Sequence, residues 1–283
     1  LYVCEGAVRA FGRGSRLTVV PRDQITGAIS QSTALVLLSH VHYKTGSIFP
    51  MTEITAAAHS RGAMTLWDLS HSAGAVPVNL SESDADFAVG CGYKYLNGGP
   101  GAPSYLYVAK RLQQSATNFI SGWHGHANPF SFVDDYTPAP GIRRFLTGTP
   151  SIIANAALET GVNILIEAGM NRIVKKSRML TSLFIDLVDS YCAGYDLTLV
   201  TSRQAEHRGS QISFAHPQGY KIMQALISRS VIGDFRAPDI LRFGFSPLYS
   251  RFEDAWIAVM TLREILRTGA WRDPRFAVRA TVT

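Results

Sequence analysis

Short, uninterrupted apolar runs alternate with amphipathic stretches through the first half of the chain. Residues 17–20, 34–38, 63–67 and 87–90, with Ser104–Val108, predict strands; 24–30 and 51–60 predict helices. In the second helix Thr52 is a candidate cap, and Glu53 sits where the helix dipole favours an acid. Continuous apolar strands separated by helices imply an α/β fold, a mostly parallel sheet with helices on both faces. From residue 151 the period changes. Residues 151–167 and 170–190 are long helical patterns, the first with apolar Ile152, Ala156, Leu158, Val162, Leu165 and Ile166, and Gly169 breaks them. Strands at 197–200, 211–214 and Ile240–Gly244, with helices at 219–228 and 253–267, complete a smaller unit. The expected organisation is a large domain over 1–168 and a small α/β domain over 169–283. The opening residues 1–8 read as the tail of a helix already under way, so an N-terminal fragment is expected to be missing.

Composition narrows the field. The 283 residues, 46% hydrophobic and 17% charged, suffice for one large or two modest domains. Cys4, Cys91 and Cys192 are widely spaced with no CxxC pair, against a disulfide framework or a zinc site and in favour of a reducing cytoplasm. No run has the length of a membrane span, and no signal peptide opens the chain. A net charge of +6 invites a polyanion. Yet Arg9, Arg13, Arg16, Lys175, Lys176, Arg178, Arg263 and Arg267 are scattered, without interleaved stacking aromatics. Nucleic acid is not an expected partner.

The chemistry concentrates at strand ends. Lys94 follows the fourth apolar strand amid Gly90, Gly92, Gly98 and Gly99, which are small enough to admit a ring close to the backbone. Taken alone it is a surface lysine beside a glycine turn. Asp68, ending the preceding strand, changes that reading. A lysine that loses its proton by burial condenses with a carbonyl compound, and a carboxylate can hold a pyridinium nitrogen protonated. Together they point to pyridoxal 5'-phosphate (PLP) in the crevice beyond the strand ends. Asp68 could equally cap a turn. His71 could pack on the cofactor or be structural, and Tyr93 could bind phosphate, transfer protons or simply be buried. Trp123, in a Gly-Trp-His-Gly-His loop, and Thr149, in Thr-Gly-Thr-Pro, are candidate phosphate donors. Arg242 lies inside an apolar strand, where it either grips a substrate carboxylate or pairs with Asp239 or another acid.

With these residues laid out, the chain resembles the kynureninase family of the fold-type-I aminotransferase superfamily. The similarity is carried by residues 67–75, 90–101, 122–126, 141–150, 208–213 and 236–249. It implies Lys94 as the Schiff-base lysine and Asp68 as the pyridinium partner. It further implies His71 near the cofactor, Tyr93, Trp123 and Thr149 around the phosphate, and Arg242 on the substrate carboxylate. The implied reaction is hydrolysis of L-kynurenine, or its 3-hydroxy form, to anthranilate or 3-hydroxyanthranilate and L-alanine. Lys94 would serve as base and Tyr93 as a candidate proton donor, with Trp123, Phe130 and Phe132 as possible walls for the aryl ketone. The family also implies a homodimer, and an upstream loop supplying further phosphate donors and a stacking aromatic, so the site is expected to be incomplete in this chain. A class V aminotransferase shares the same lysine, aspartate and arginine. A cysteine desulfurase needs a reactive cysteine on a loop before the Arg242 strand, where none occurs. A non-catalytic scaffold of the same fold stays open.

Overall fold

The computed structural model describes residues 1–12 and 14–279; Arg13 and the last four residues of the expected small domain lie outside them. Helix α1 (Tyr2–Phe11) buries none of its residues, although Phe11 stacks on Phe119 with ring centroids 4.6 Å apart. The predicted strand at 17–20 does not form: those residues carry no regular secondary structure, with Val20 against the first core. The predicted helix at 24–30 contracts to a 3₁₀ turn (Arg22–Gln24) and a single helical turn, α2 (Ile25–Ala28).

The first sheet comprises β1 (Leu35–Ser39), β2 (Met64–Asp68), β3 (Phe87–Cys91) and β4 (Ser104–Val108), in that spatial order. β1, β2 and β3 are parallel; β4 returns antiparallel on β3. Helix α3 (Met51–His59) crosses from β1 to β2. Its Met51 and Ile54 pack on Trp67 and Ala88, and the Trp67 indole donates to Thr55 Oγ1 at 3.2 Å. Pro50, not Thr52, takes the cap position of α3; the Thr52 hydroxyl bonds that of Ser83 instead, at 2.9 Å. The other sheet face carries Leu35, Leu37, Met64 and Leu106, each between 41% and 43% exposed.

Two long helices follow, α4 (Ile152–Ala168) and α5 (Met170–Tyr191), meeting at Gly169. Their faces differ. Most of the apolar positions of α4 are exposed, whereas α5 buries Leu180, Phe184 and Val188 in the second core. That core lies over an antiparallel sheet, order β5-β6-β8-β7, formed by β5 (Thr198–Leu199), β6 (Gln211–Ala215), β7 (Asp234–Arg236) and β8 (Ile240–Gly244). Helices α6 (Gly219–Ile227) and α7 (Phe252–Thr268) complete it with Ile222, Leu226, Val259, Leu262 and Ile265.

One buried charge holds the amino end of β3 in place. The Asp86 carboxylate, 4% exposed, accepts from Arg111 Nη2 at 2.6 Å, His59 Nε2 at 2.8 Å and the Thr65 backbone N–H at 2.7 Å. Removing one partner of a buried pair strands the others. Asp86→Ala is expected to lower the unfolding free energy by about 3–5 kcal/mol. Urea denaturation checks this, and a loss below about 1 kcal/mol would mean the network is dispensable.

Candidate active site

Because β1, β2 and β3 run parallel, Ser39, Asp68 and Cys91 end at one edge of the sheet, where such folds bind ligands. The loop after β3 carries Lys94. It is braced from below by α4, whose Leu158 packs against Gly92 and Gly98. Gly161 comes so near that a Cβ there would stand 2.4 Å from the Leu96 carbonyl oxygen. Asn97, at φ 58°, turns the chain and donates its amide to the Tyr95 carbonyl at 2.7 Å. Tyr95 in turn donates its hydroxyl to the Ser210 carbonyl at 3.0 Å, tying this loop to the start of β6.

Lys94 is half-buried, and its Nζ donates to Tyr93 Oη at 3.0 Å and to Cys91 Sγ at 3.4 Å. Among the described residues it has no ion-pair partner. Burial pushes the ammonium pKa down, but the Tyr93 hydroxyl and the Cys91 thiol together outweigh it, and the net shift is upward. The sequence-based expectation of a lysine depressed by burial is therefore reversed here, because two polar neighbours accept from the amine.

Asp68 sits on the same sheet face as Cys91, two positions along from Val89, its neighbour on β3. Its Oδ1 accepts the Ser70 N–H at 2.8 Å, making the turn that the sequence allowed, while Oδ2 has only a 3.4 Å contact from the Ser39 hydroxyl. His71 is half-buried. Burial, then the positive charges of Lys94 and Arg242, lower its pKa to about 4 despite Asp68, with Arg236 adding to the effect. Lys94, Asp68 and Arg242 thus all lie within electrostatic reach of His71. His40, 6% exposed and bonded through Nδ1 to Ser72 Oγ at 3.0 Å, is also lowered to about 4 by burial.

Arg242 is paired, and not with Asp239. Its Nε lies 2.8 Å from Asp234 Oδ1, its Nη2 bonds Asp234 Oδ2, and its Nη1 donates to the Tyr43 carbonyl at 2.6 Å. The cause is register: Asp234 on β7 stands directly opposite Arg242 on β8. Trp123 and Thr149 belong to a second group. Trp123 opens a 3₁₀ turn (Trp123–Gly125) and meets Phe130 edge-on with centroids 5.7 Å apart. The turn is held to the Thr149 stretch by the His124 N–H, which donates to the Thr147 carbonyl at 3.0 Å. Both Trp123 and Thr149 are exposed.

The model of the kynureninase C-terminal domain matches residues 173–262. The kynureninase of Burkholderia pseudomallei is 50% identical over 285 residues, covering all of this chain and 68% of that one. That of Pseudomonas fluorescens is 46% identical over 284 residues, again covering the whole chain and 68% of the relative. The chain belongs to the kynureninase family. Solved structures agree on the fold. A cysteine desulfurase from Thermococcus onnurineus superposes with a TM-score of 0.78 at 19% identity, over 95% of this chain and 70% of that one. An alanine–glyoxylate aminotransferase from Nostoc gives 0.68 at 19% identity, over 88% and 66%.

Four residues that touch the candidate side chains or brace their loop escaped sequence reasoning: Cys91, Tyr95, Asp234 and Tyr43. Cys91 was legible as a residue one turn before Lys94, and Asp234 as the first member of the alternation Asp-Phe-Arg in a strand too short to stand out. The Tyr43 carbonyl has no sequence signal at all.

The histidines make a pH prediction. A folded pKa of about 4 lies below the ordinary 6.5, so the unfolded chain binds the proton more tightly. His40 therefore adds no penalty above pH 6.5, and stability falls as pH drops towards 4, by about 3 kcal/mol. Urea midpoints measured from pH 7 to pH 4 should fall, and His40→Asn should flatten that fall. An unchanged slope would contradict the assignment.

Proposed function

We propose that the chain performs the kynureninase reaction, PLP-dependent hydrolysis of the Cβ–Cγ bond of L-kynurenine to anthranilate and L-alanine, with Lys94 as the cofactor lysine. The observation that carries this is a lysine without an acid partner and an aspartate with a spare carboxylate oxygen at one edge of a parallel sheet, in a chain half identical to kynureninases along its whole length.

The residues present fit the cofactor. The Lys94 amine donates only to a phenol and a thiol, so it can be given up to a carbonyl carbon without stranding a buried charge. Asp68 Oδ2 has an acceptor site to offer a pyridine N–H. His71, neutral above about pH 4, adds no second cation beside Lys94. When bound, PLP supplies an electron sink for the charge developing at the substrate's α-carbon. Asp68 would accept the ring N–H. Lys94 Nζ would take the substrate's α-proton, and Tyr93 Oη, 3.0 Å from Nζ, would return a proton to the alanine fragment. Arg242 holds the α-carboxylate through its unspent N–H groups. Trp123 and Thr149 would donate to the phosphate, and Trp123 with Phe130 would wall the aryl ring.

The same reading extends to a homodimer and a division of the chain at Gly169. The exposed Ile152, Ile153, Ile164 and Ile166 of α4 support the former, and the separate cores on either side support the latter. A cytoplasmic location is supported by three free cysteines. Among the described residues no helix is long and apolar enough to cross a membrane.

The test supplies the protein with PLP and L-kynurenine and follows anthranilate fluorescence. Lys94→Ala is expected to abolish the lysine-bound cofactor absorbance and to lower the rate about a hundredfold or more. Turnover that survives Lys94→Ala would overturn the assignment. A lysine-bound cofactor with no anthranilate released would shift the reading to an aminotransferase.

A further inference from the structure

Two guanidinium groups share one carboxylate on the second sheet. Asp234 accepts from Arg236 at 3.2 and 3.3 Å and from Arg242 Nε at 2.8 and 3.1 Å, with Arg242 Nη2 as a further donor. The pairing is unequal. The Arg236 side chain is 38% exposed and the Arg242 side chain 12%, so the tighter contact belongs to the more buried cation. On its far side Arg242 is fixed by the Tyr43 carbonyl, 2.6 Å from Nη1, and that oxygen also takes Gln211 Nε2 at 2.8 Å. The Tyr43 loop is itself tied to the same sheet. Lys44 Nζ donates to the Ala237 carbonyl at 2.8 Å, and Ser213 Oγ to the Lys44 carbonyl at 2.5 Å.

This arrangement leaves a deficit of charge and of acceptors. Two positive groups face one negative one. Of the five N–H groups of a guanidinium, Arg242 spends Nε–H and one on Nη2 on Asp234 and one on Nη1 on Tyr43. One N–H remains on each terminal nitrogen, available to the oxygens of a ligand carboxylate. A salt bridge serving stability alone would gain nothing from leaving a largely buried guanidinium short of acceptors.

We propose that Asp234 is the positioning residue of Arg242. By taking the Nε edge it fixes the plane of the guanidinium and turns the remaining pair of N–H groups towards an incoming α-carboxylate. The one uncompensated positive charge selects a ligand bearing that single anion. This rests on the reading of Arg242 given under Proposed function. The opposite role, Asp234 competing with the ligand for Arg242, predicts the opposite sign.

The test is Asp234→Asn in the PLP-loaded protein, which keeps the side-chain volume and removes the charge. Two ligands separate the carboxylate from everything else: L-alanine, titrated calorimetrically, and kynuramine, which is L-kynurenine without its carboxylate, as an inhibitor. The expected result is about tenfold or more weaker L-alanine binding, with KM for L-kynurenine raised in proportion. The kynuramine inhibition constant and kcat should each change less than about threefold, and Asp234→Glu should recover part of the loss. Tighter or unchanged L-alanine binding overturns the proposal, and so does an equal weakening of kynuramine, which would mean general damage to the fold. Arg242→Gln serves as the control. If it leaves L-alanine binding intact, Arg242 does not bind the carboxylate, and the proposal falls through its premise.

Discussion

The parallel register of β2 with β3 is the constraint from which the site follows. Asp68 lies beside Val89, and Cys91 is two residues further along on the same face. A shift of one residue would turn Asp68 towards α3 and its apolar core. Trp67 on the opposite face, 1% exposed, holds the register because its burial under α3 permits no slip. Lys94 then needs only the short loop after Cys91, which α4 braces through Leu158 and Gly161. Asp68 and Lys94 are thus placed by hydrophobic packing several residues away from either one.

A second sheet with its own core carries Arg242. The two units meet through polar backbone contacts: Tyr95 to the Ser210 carbonyl, and Gln211 and Arg242 to the Tyr43 carbonyl. The Ser210 carbonyl also receives the Phe245 N–H at 2.8 Å, so the loop holding the lysine and the strand holding the arginine share one acceptor. The separation of Lys94 and Arg242 is in this way set by hydrogen bonds that span the units.

Much of this was legible in the sequence, for identifiable reasons. β2, β3, β4 and β8 are apolar runs, with the candidates Asp68, Lys94 and Arg242 at the end of β2, just after β3 and inside β8, and α5 and α7 keep one strong apolar face. Residues 17–20 have the composition of a strand but no neighbouring strand to pair with, and composition carries no information about partners. β7 is three residues long, below what periodicity resolves, so the sequence offered Asp239 or another acid as an internal partner of Arg242 without singling out Asp234, the near acid across the hairpin. Lys94 was expected to be depressed by burial. The Tyr93 hydroxyl and Cys91 thiol that reverse the sign come from loop geometry, which a pattern of residue types does not encode.

The most direct measurement is borohydride trapping of PLP on the protein, followed by peptide mass mapping. A pyridoxyl phosphate adduct confined to the peptide carrying Lys94, and lost in Asp68→Ala through weakened retention, is the predicted result. An adduct on Lys44, Lys110 or another lysine with Lys94 unmodified would contradict it.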